Sequence, residues 1–190
     1  MRTRSRSAWA APRAPKQVTA YHGCSVAVAE RIVDGEPFRA SINNYDWLGT
    51  GIYFWEYAPY RAAEWAQLRF GSDAAVIEVK IELGRCLNLL DSEYFADLQT
   101  AYSEAVAGSL DDGLVLPANI GGRHLLDRLV GDRLCRSYKA TASSNIQVVR
   151  GCFPEGEPVF EGSRILRYSH VQIAVRDQSC ISGMRLVQSK

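Results

Sequence analysis

Three short stretches carry side chains whose types and spacing suit chemistry on a bound ligand. Tyr21-His22-Gly23-Cys24-Ser25 sets a histidine at the end of a short strand pattern. A neutral imidazole donates one hydrogen bond and accepts another, which suits the paired hydroxyls of a sugar. Gly23 has no Cβ, so a ligand can approach the backbone closely there. The alternative for His22 is a satisfied histidine at a strand end. Leu48-Gly49-Thr50-Gly51-Ile52-Tyr53-Phe54-Trp55-Glu56 breaks the chain with glycines before a run dense in aromatics. Such a run offers flat apolar surface to an aromatic ring, with the Tyr53 hydroxyl as a polar handle. Its alternative is a core strand after a turn. In Ser169-His170-Val171-Gln172-Ile173-Ala174-Val175-Arg176, a period of two puts Val171, Ile173 and Val175 on a core face. His170, Gln172 and Arg176 share the other face, which is either wet or part of a cleft.

The elements that must position these groups follow from capping and periodicity. Gln17 to Gly23 reads as a strand ending at a glycine turn. Val26 to Val33 reads as a helix with Ser25 as N-cap and Gly35 just past its end. Ser41 to Gly51 is a polar loop with Tyr45, Trp47 and Leu48 embedded in it. Ile52 to Trp55 is an apolar strand, and Pro59 opens a helix through about Phe70. From Ala75 to Leu83 the pattern alternates, with Ile77, Val79, Ile81 and Leu83 inward and Glu78, Lys80 and Glu82 outward. A short strand at Cys86–Leu90 precedes helical stretches at Ser92 to about Val106 and Arg123 to about Tyr138, apolar at i, i+3 and i+4. Strands return at Ile146–Arg150, Val171–Arg176 and Met184–Val187. Helices lie among strands without a regular βαβ alternation, which predicts an α+β fold. No glycine-rich dinucleotide fingerprint follows the first strand, so a Rossmann domain is disfavoured.

The chain has 190 residues and 47% apolar residues, which suits one domain with a tail. Residues 1–16 hold Arg2, Arg4, Arg6, Arg13 and Lys16 and no acid, so they read as a basic, disordered tail. Residues 17–190 then form the domain, with 17 basic and 21 acidic residues, a net of −4. A domain of that charge is no general nucleic-acid binder. Five cysteines without CxxC pairs argue against a disulfide framework and against a zinc site, and predict reduced, mostly buried thiols. No apolar stretch reaches the length of a membrane span and no secretory signal is evident. The expected setting is cytoplasmic, or a target cell reached by a route the sequence does not display.

A strand ending in His-Gly, a serine about 20 residues on, then Gly-x-Gly-Ile-Tyr-Phe and a helix resembles the ADP-ribosyltransferase superfamily. The likeness is closest to the diphtheria-toxin and poly(ADP-ribose) polymerase-like branch, whose signature is His-Tyr-Glu. Tyr21-His22-Gly23, Ser41 and Gly49-Thr50-Gly51-Ile52-Tyr53-Phe54 carry it. It covers residues 19–66, and more weakly 169–176. The resemblance implies a split mixed β-sheet core with peripheral helices and NAD as co-substrate. By the same resemblance His22 binds the adenosine ribose, the Gly23 backbone holds the nicotinamide carboxamide, Ser41 belongs to the NAD site, and Tyr53 forms a wall of the nicotinamide pocket. Trp65, about one residue offset from the family's position, is the candidate second aromatic; plain core is its other reading.

The chain departs from the family where the late-strand glutamate is expected, because Gln172 stands there. Glutamine can bond a ribose hydroxyl, but it has no charge for an oxocarbenium ion and cannot act as a base. His170, two residues earlier on the same face, is the candidate base toward an acceptor. Glu56 and Asp46, weighed as substitute acids, read as solvent-facing loop charges. Val149–Gly156 reads as a strand leading into a loop, which is either an acceptor contact or a surface connection. The expected function is mono-ADP-ribosyl transfer to a protein or nucleic acid with release of nicotinamide, in the manner of a toxin or effector with an inhibitory partner. The alternatives are an inert NAD-binding module and an NAD hydrolase. An RNA 2′-phosphotransferase would need more basic residues near the matched motifs.

Overall fold

The computed structural model describes residues 16–142 and 145–187. Apart from Lys16, the expected basic tail lies outside them. Helices and strands are mixed as the α+β class requires. Strands β1 (Gln17–Ser25), β2 (Ile52–Glu56), β3 (Ala74–Glu82), β4 (Cys86–Asn88), β7 (Val148–Phe153), β8 (His170–Val175) and β9 (Ile181–Leu186) form one seven-stranded sheet. Its order is β4-β7-β8-β2-β1-β3-β9. Only the β4–β7 pair is parallel; the other ladders are antiparallel. A separate two-stranded hairpin, β5 (Asn119–Ile120) with β6 (Arg123–His124), escapes the sequence pattern.

Helix α1 (Val26–Val33) starts where Ser25 accepts the Val28 N–H, and Gly35 follows its end at φ 108°. Helix α2 (Pro59–Phe70) opens on its proline. Helices α3 (Phe95–Asp111) and α4 (Leu125–Ala142) both run later than the sequence pattern predicts. Alternation along the strands divides the core. Phe54, Ile77, Val79, Ile173 and Val175 pack on one face with α1 residues Ala29 and Ile32. On the other face, Leu48, Leu87, Val149 and Ala174 pack with Ala101 of α3 and Leu134 of α4. Burial of this apolar area is the main stabilising term for such a domain.

Two sequence expectations are corrected at the sheet. β1 does not stop at Gly23, which pairs with Val76 of β3 inside the ladder. A Cβ on Gly23 would stand 2.6 Å from the Ala62 carbonyl oxygen of α2, so the glycine admits a helix rather than a turn. Glu56 and Asp46 are buried, at 8% and 1% exposure, instead of facing solvent. Each is held by specific partners: Arg150 bonds both Glu56 oxygens, and Asp46 accepts from the Ser41 hydroxyl and the Asn43 N–H.

Candidate functional site

The β1–β2 ladder contains two pairs, Ala20↔Glu56 and Tyr21↔Trp55, and then stops. Beyond it His22 bridges the two strands with its side chain: Nδ1 lies 2.9 Å from the Tyr53 carbonyl oxygen. A carbonyl oxygen only accepts, so Nδ1 carries the proton and Nε2 presents a lone pair. Burial against Phe38 and Phe54 depresses the His22 pKa, partly opposed by that hydrogen bond, so the ring is neutral at pH 7.

A cavity of about 630 Å³ opens beside this interruption of the sheet. His22, Gly23, Ser41, Tyr53, Trp65, His170 and Gln172 all line it. Segments far apart in the chain therefore meet in one concavity, as a shared ligand site requires.

Several of these side chains have fixed hydrogen-bond roles. The Tyr53 hydroxyl donates to the Gly49 carbonyl at 2.6 Å and accepts from Leu48 N–H at 3.0 Å. It anchors its own loop, so the ring rather than the hydroxyl is what Tyr53 offers a ligand. Asp132 of α4 holds the same loop, accepting from Thr50 N–H, the Thr50 hydroxyl and Arg176. Desolvation alone would raise the Asp132 pKa, but those donors together pull it below the usual carboxylate value. Gly49, at φ 87°, turns against this carboxylate, where a Cβ would lie 2.9 Å from Oδ1. Arg176 is thus committed to the loop, while its face-mates His170 and Gln172 line the cavity.

Gln172 Oε1 accepts the Trp47 indole N–H at 2.5 Å. An indole nitrogen can only donate, so the amide orientation follows and the Gln172 NH₂ is the group left to a ligand. Ser41 donates to Asp46 and accepts from Asn43 Nδ2, which leaves one lone pair on its hydroxyl. Desolvation raises the Asp46 carboxyl above its usual value, against the hydrogen bonds from Ser41 and Asn43. Asp46 also lines the cavity, but it is braced within its own loop.

His170 donates from Nδ1 to the Tyr168 carbonyl at 2.6 Å, and its Nε2 is buried without a protein partner. Burial depresses its pKa, so this imidazole is neutral at pH 7 as well. Trp65 packs against Trp55 at 5.6 Å between ring centroids while lining the cavity, which joins its two sequence readings.

Sequence reasoning missed the cavity roles of Trp47, Arg61 and His124 and understated Glu155. The embedded aromatics of the Ser41–Gly51 loop were the available signal for Trp47. For Arg61 and His124 there was none, because the cavity residues they meet, Glu155 and Phe153, are distant in sequence. All five cysteines are free thiols; Cys152 is exposed and Cys86 half-buried, while Cys24, Cys135 and Cys180 are buried. Among the described residues, no cluster of histidine, cysteine and acidic side chains could hold a metal ion. No helix of the described residues is long and apolar enough to cross a membrane. The chain matches no protein-family model, and comparison with curated proteins gives no match either.

Proposed function

We propose that this chain is a mono-ADP-ribosyltransferase, which moves one ADP-ribose from NAD to an acceptor and releases nicotinamide. One observation carries the reading: the residues to which the resemblance gives a role toward NAD or the acceptor, His22, Gly23, Ser41, Tyr53, Trp65, His170 and Gln172, line the same cavity. The interrupted β1–β2 ladder and the helices around the sheet are also compatible with the split core of that superfamily.

In this reading the His22 Nε2 lone pair accepts a hydrogen from a hydroxyl of the adenosine ribose. The nicotinamide ring lies against the Tyr53 ring, with Trp65 as the second wall and the Gly23 backbone at the carboxamide. The Gln172 NH₂ donates to the 2′-oxygen of the nicotinamide ribose. The C1′–N bond breaks with its electron pair passing to the pyridinium nitrogen, which leaves as neutral nicotinamide. The acceptor X–H adds to C1′ and gives its proton to His170 Nε2. Positioning and exclusion of water supply most of the acceleration, since no carboxylate faces the developing cation from position 172. Polymer elongation, which needs that carboxylate as a base, is not proposed.

The Gln172 amide favours a second reading, a module that binds NAD without turning it over. Incubation with NAD and detection of free nicotinamide separates the two. Release that is lost in Tyr53→Ala supports the transferase, whereas NAD binding without release supports the inert module. Nicotinamide and free ADP-ribose in equal amounts, with no labelled macromolecule, would identify an NAD hydrolase instead.

A further inference from the structure

Four buried side-chain nitrogens or oxygens have no hydrogen-bond partner among the described residues, and three of them belong to one corner of the cavity. They are Trp55 Nε1, Arg61 Nε and His170 Nε2. The corner is contiguous: the Trp55 and His170 rings lie 6.1 Å apart, and Phe153 lies 5.7 Å from His170. Arg61 donates from one terminal nitrogen to Glu155 at 2.8 Å, sets the other 3.7 Å from Glu64, and stacks on Tyr168 at 4.6 Å. Its Nε–H is left over. Trp55 is 5% exposed and the His170 side chain 3%, so the unmet groups belong to side chains fixed by packing rather than to loose surface residues. Native proteins satisfy nearly all such groups, so three clustered exceptions mark a place where a guest molecule can supply the missing partners.

The chemistry of the corner is specific. It offers two N–H donors, from Trp55 and Arg61, and one acceptor, His170 Nε2, because Nδ1 is the protonated nitrogen. Trp55 and Phe153, both in ring contact with His170, supply its aromatic surface. The Arg61–Glu155 pair cancels charge there, which disfavours a strongly charged guest. A guest that fits is planar and uncharged, with two acceptors and one N–H along its edge. Nucleobases have that edge, and aromatic side chains stack on their faces.

We propose that this corner binds a nucleobase, and that the base is the acceptor of ADP-ribose; the second clause rests on the transferase reading above. His170 Nε2 takes the proton from the base N–H as that nitrogen bonds to C1′ and nicotinamide departs with the glycosidic electron pair. The base must arrive unpaired, since a duplex hides its edge. Single-stranded nucleic acid or a free nucleotide meets that condition.

The test has two arms on the full chain. In the first, guanosine monophosphate is titrated while tryptophan fluorescence is followed. Saturable quenching is expected, with an apparent Kd raised about tenfold by Trp55→Phe, which keeps an aromatic ring but removes the indole N–H, and likewise by Arg61→Gln. Melting curves confirm that both variants fold, and a competition on the wild type needs no variant at all. If ADP-ribose displaces the nucleotide competitively, the corner holds the adenine of NAD itself and the acceptor assignment is overturned. Absence of quenching by any of the four nucleoside monophosphates overturns the base site. In the second arm, NAD labelled in its adenosine half is supplied with a short single-stranded oligonucleotide and with lysate protein. Label on the oligonucleotide, reduced by the same variants, supports the proposal; label on protein alone overturns it. If no nicotinamide is released, the transferase reading and the acceptor role fail together, while the quenching arm still reads the base site by itself.

Discussion

At Gln172 the side-chain oxygen is bound to Trp47, which leaves the amide NH₂ as the group the residue can offer within the cavity. A donor at that place can orient a ribose hydroxyl, yet it opposes rather than eases positive charge on the sugar. Gln172→Glu would keep the Trp47 bond through one carboxylate oxygen and aim the other at the sugar. Nicotinamide release should then rise about a hundredfold, the usual worth of one preorganised electrostatic partner; a steady-state assay of released nicotinamide checks this. The type of residue at 172 was legible in the sequence, but its orientation was not, because Trp47 lies 125 positions away. The same distance effect hid Glu56, whose partner Arg150 lies 94 positions away. The donors of Asp46, Ser41 and Asn43, lie within five residues, but no pattern in the sequence shows that the loop folds round its carboxylate.

Elements were more legible than residues, and for local reasons. Ser25 and Gly35 bracket α1, Pro59 opens α2, and strict alternation marks β3; each signal lies within a few residues of what it specifies. The late strands β7 and β9 and the hairpin β5–β6 were displaced or missed, since their limits are set by partners such as Arg85, Gln147 and Asn44 from elsewhere. Two element-scale predictions follow from contacts that the sequence did not display. Gly23→Ala should push α2 off β1, because the new Cβ would meet the Ala62 carbonyl at 2.6 Å. The expected loss is about 1–3 kcal/mol in chemical denaturation. Asp132→Ala should remove two hydrogen bonds from the Thr50 loop and leave Arg176 without its carboxylate. A destabilisation of about 3 kcal/mol is expected for breaking such a partly buried pair. NAD affinity should fall with it, since the loop that anchors the Tyr53 hydroxyl loses its brace; calorimetric titration of the folded fraction measures that.

Over the whole molecule, Glu56 and Arg150 tie β2 to β7 across β8, with side chains 6% and 13% exposed. Glu56→Ala should cost about 3 kcal/mol or more by stranding the guanidinium, and a Glu56→Ala, Arg150→Met double variant should recover part of it. The acid limit of stability has a defined sign. His22 and His170 are both held below the ordinary imidazole value of 6.5 by burial, so they resist protonation while folded. The unfolded chain takes up those protons as pH falls below 6.5, and the folded chain does not until lower pH. Their contribution is therefore full above that pH and is lost progressively below it. A melting series should show this decline, flattened when both histidines are replaced by glutamine.

The central claim is that NAD occupies the cavity with its adenosine ribose on His22. The chain has three histidines, and all three, His22, His124 and His170, line that cavity. Imidazole resonances followed by NMR during an NAD titration test the claim most directly. A saturable shift of the His22 signal is expected, abolished by Tyr53→Ala. Saturating NAD that leaves all three imidazole signals where they began would contradict it.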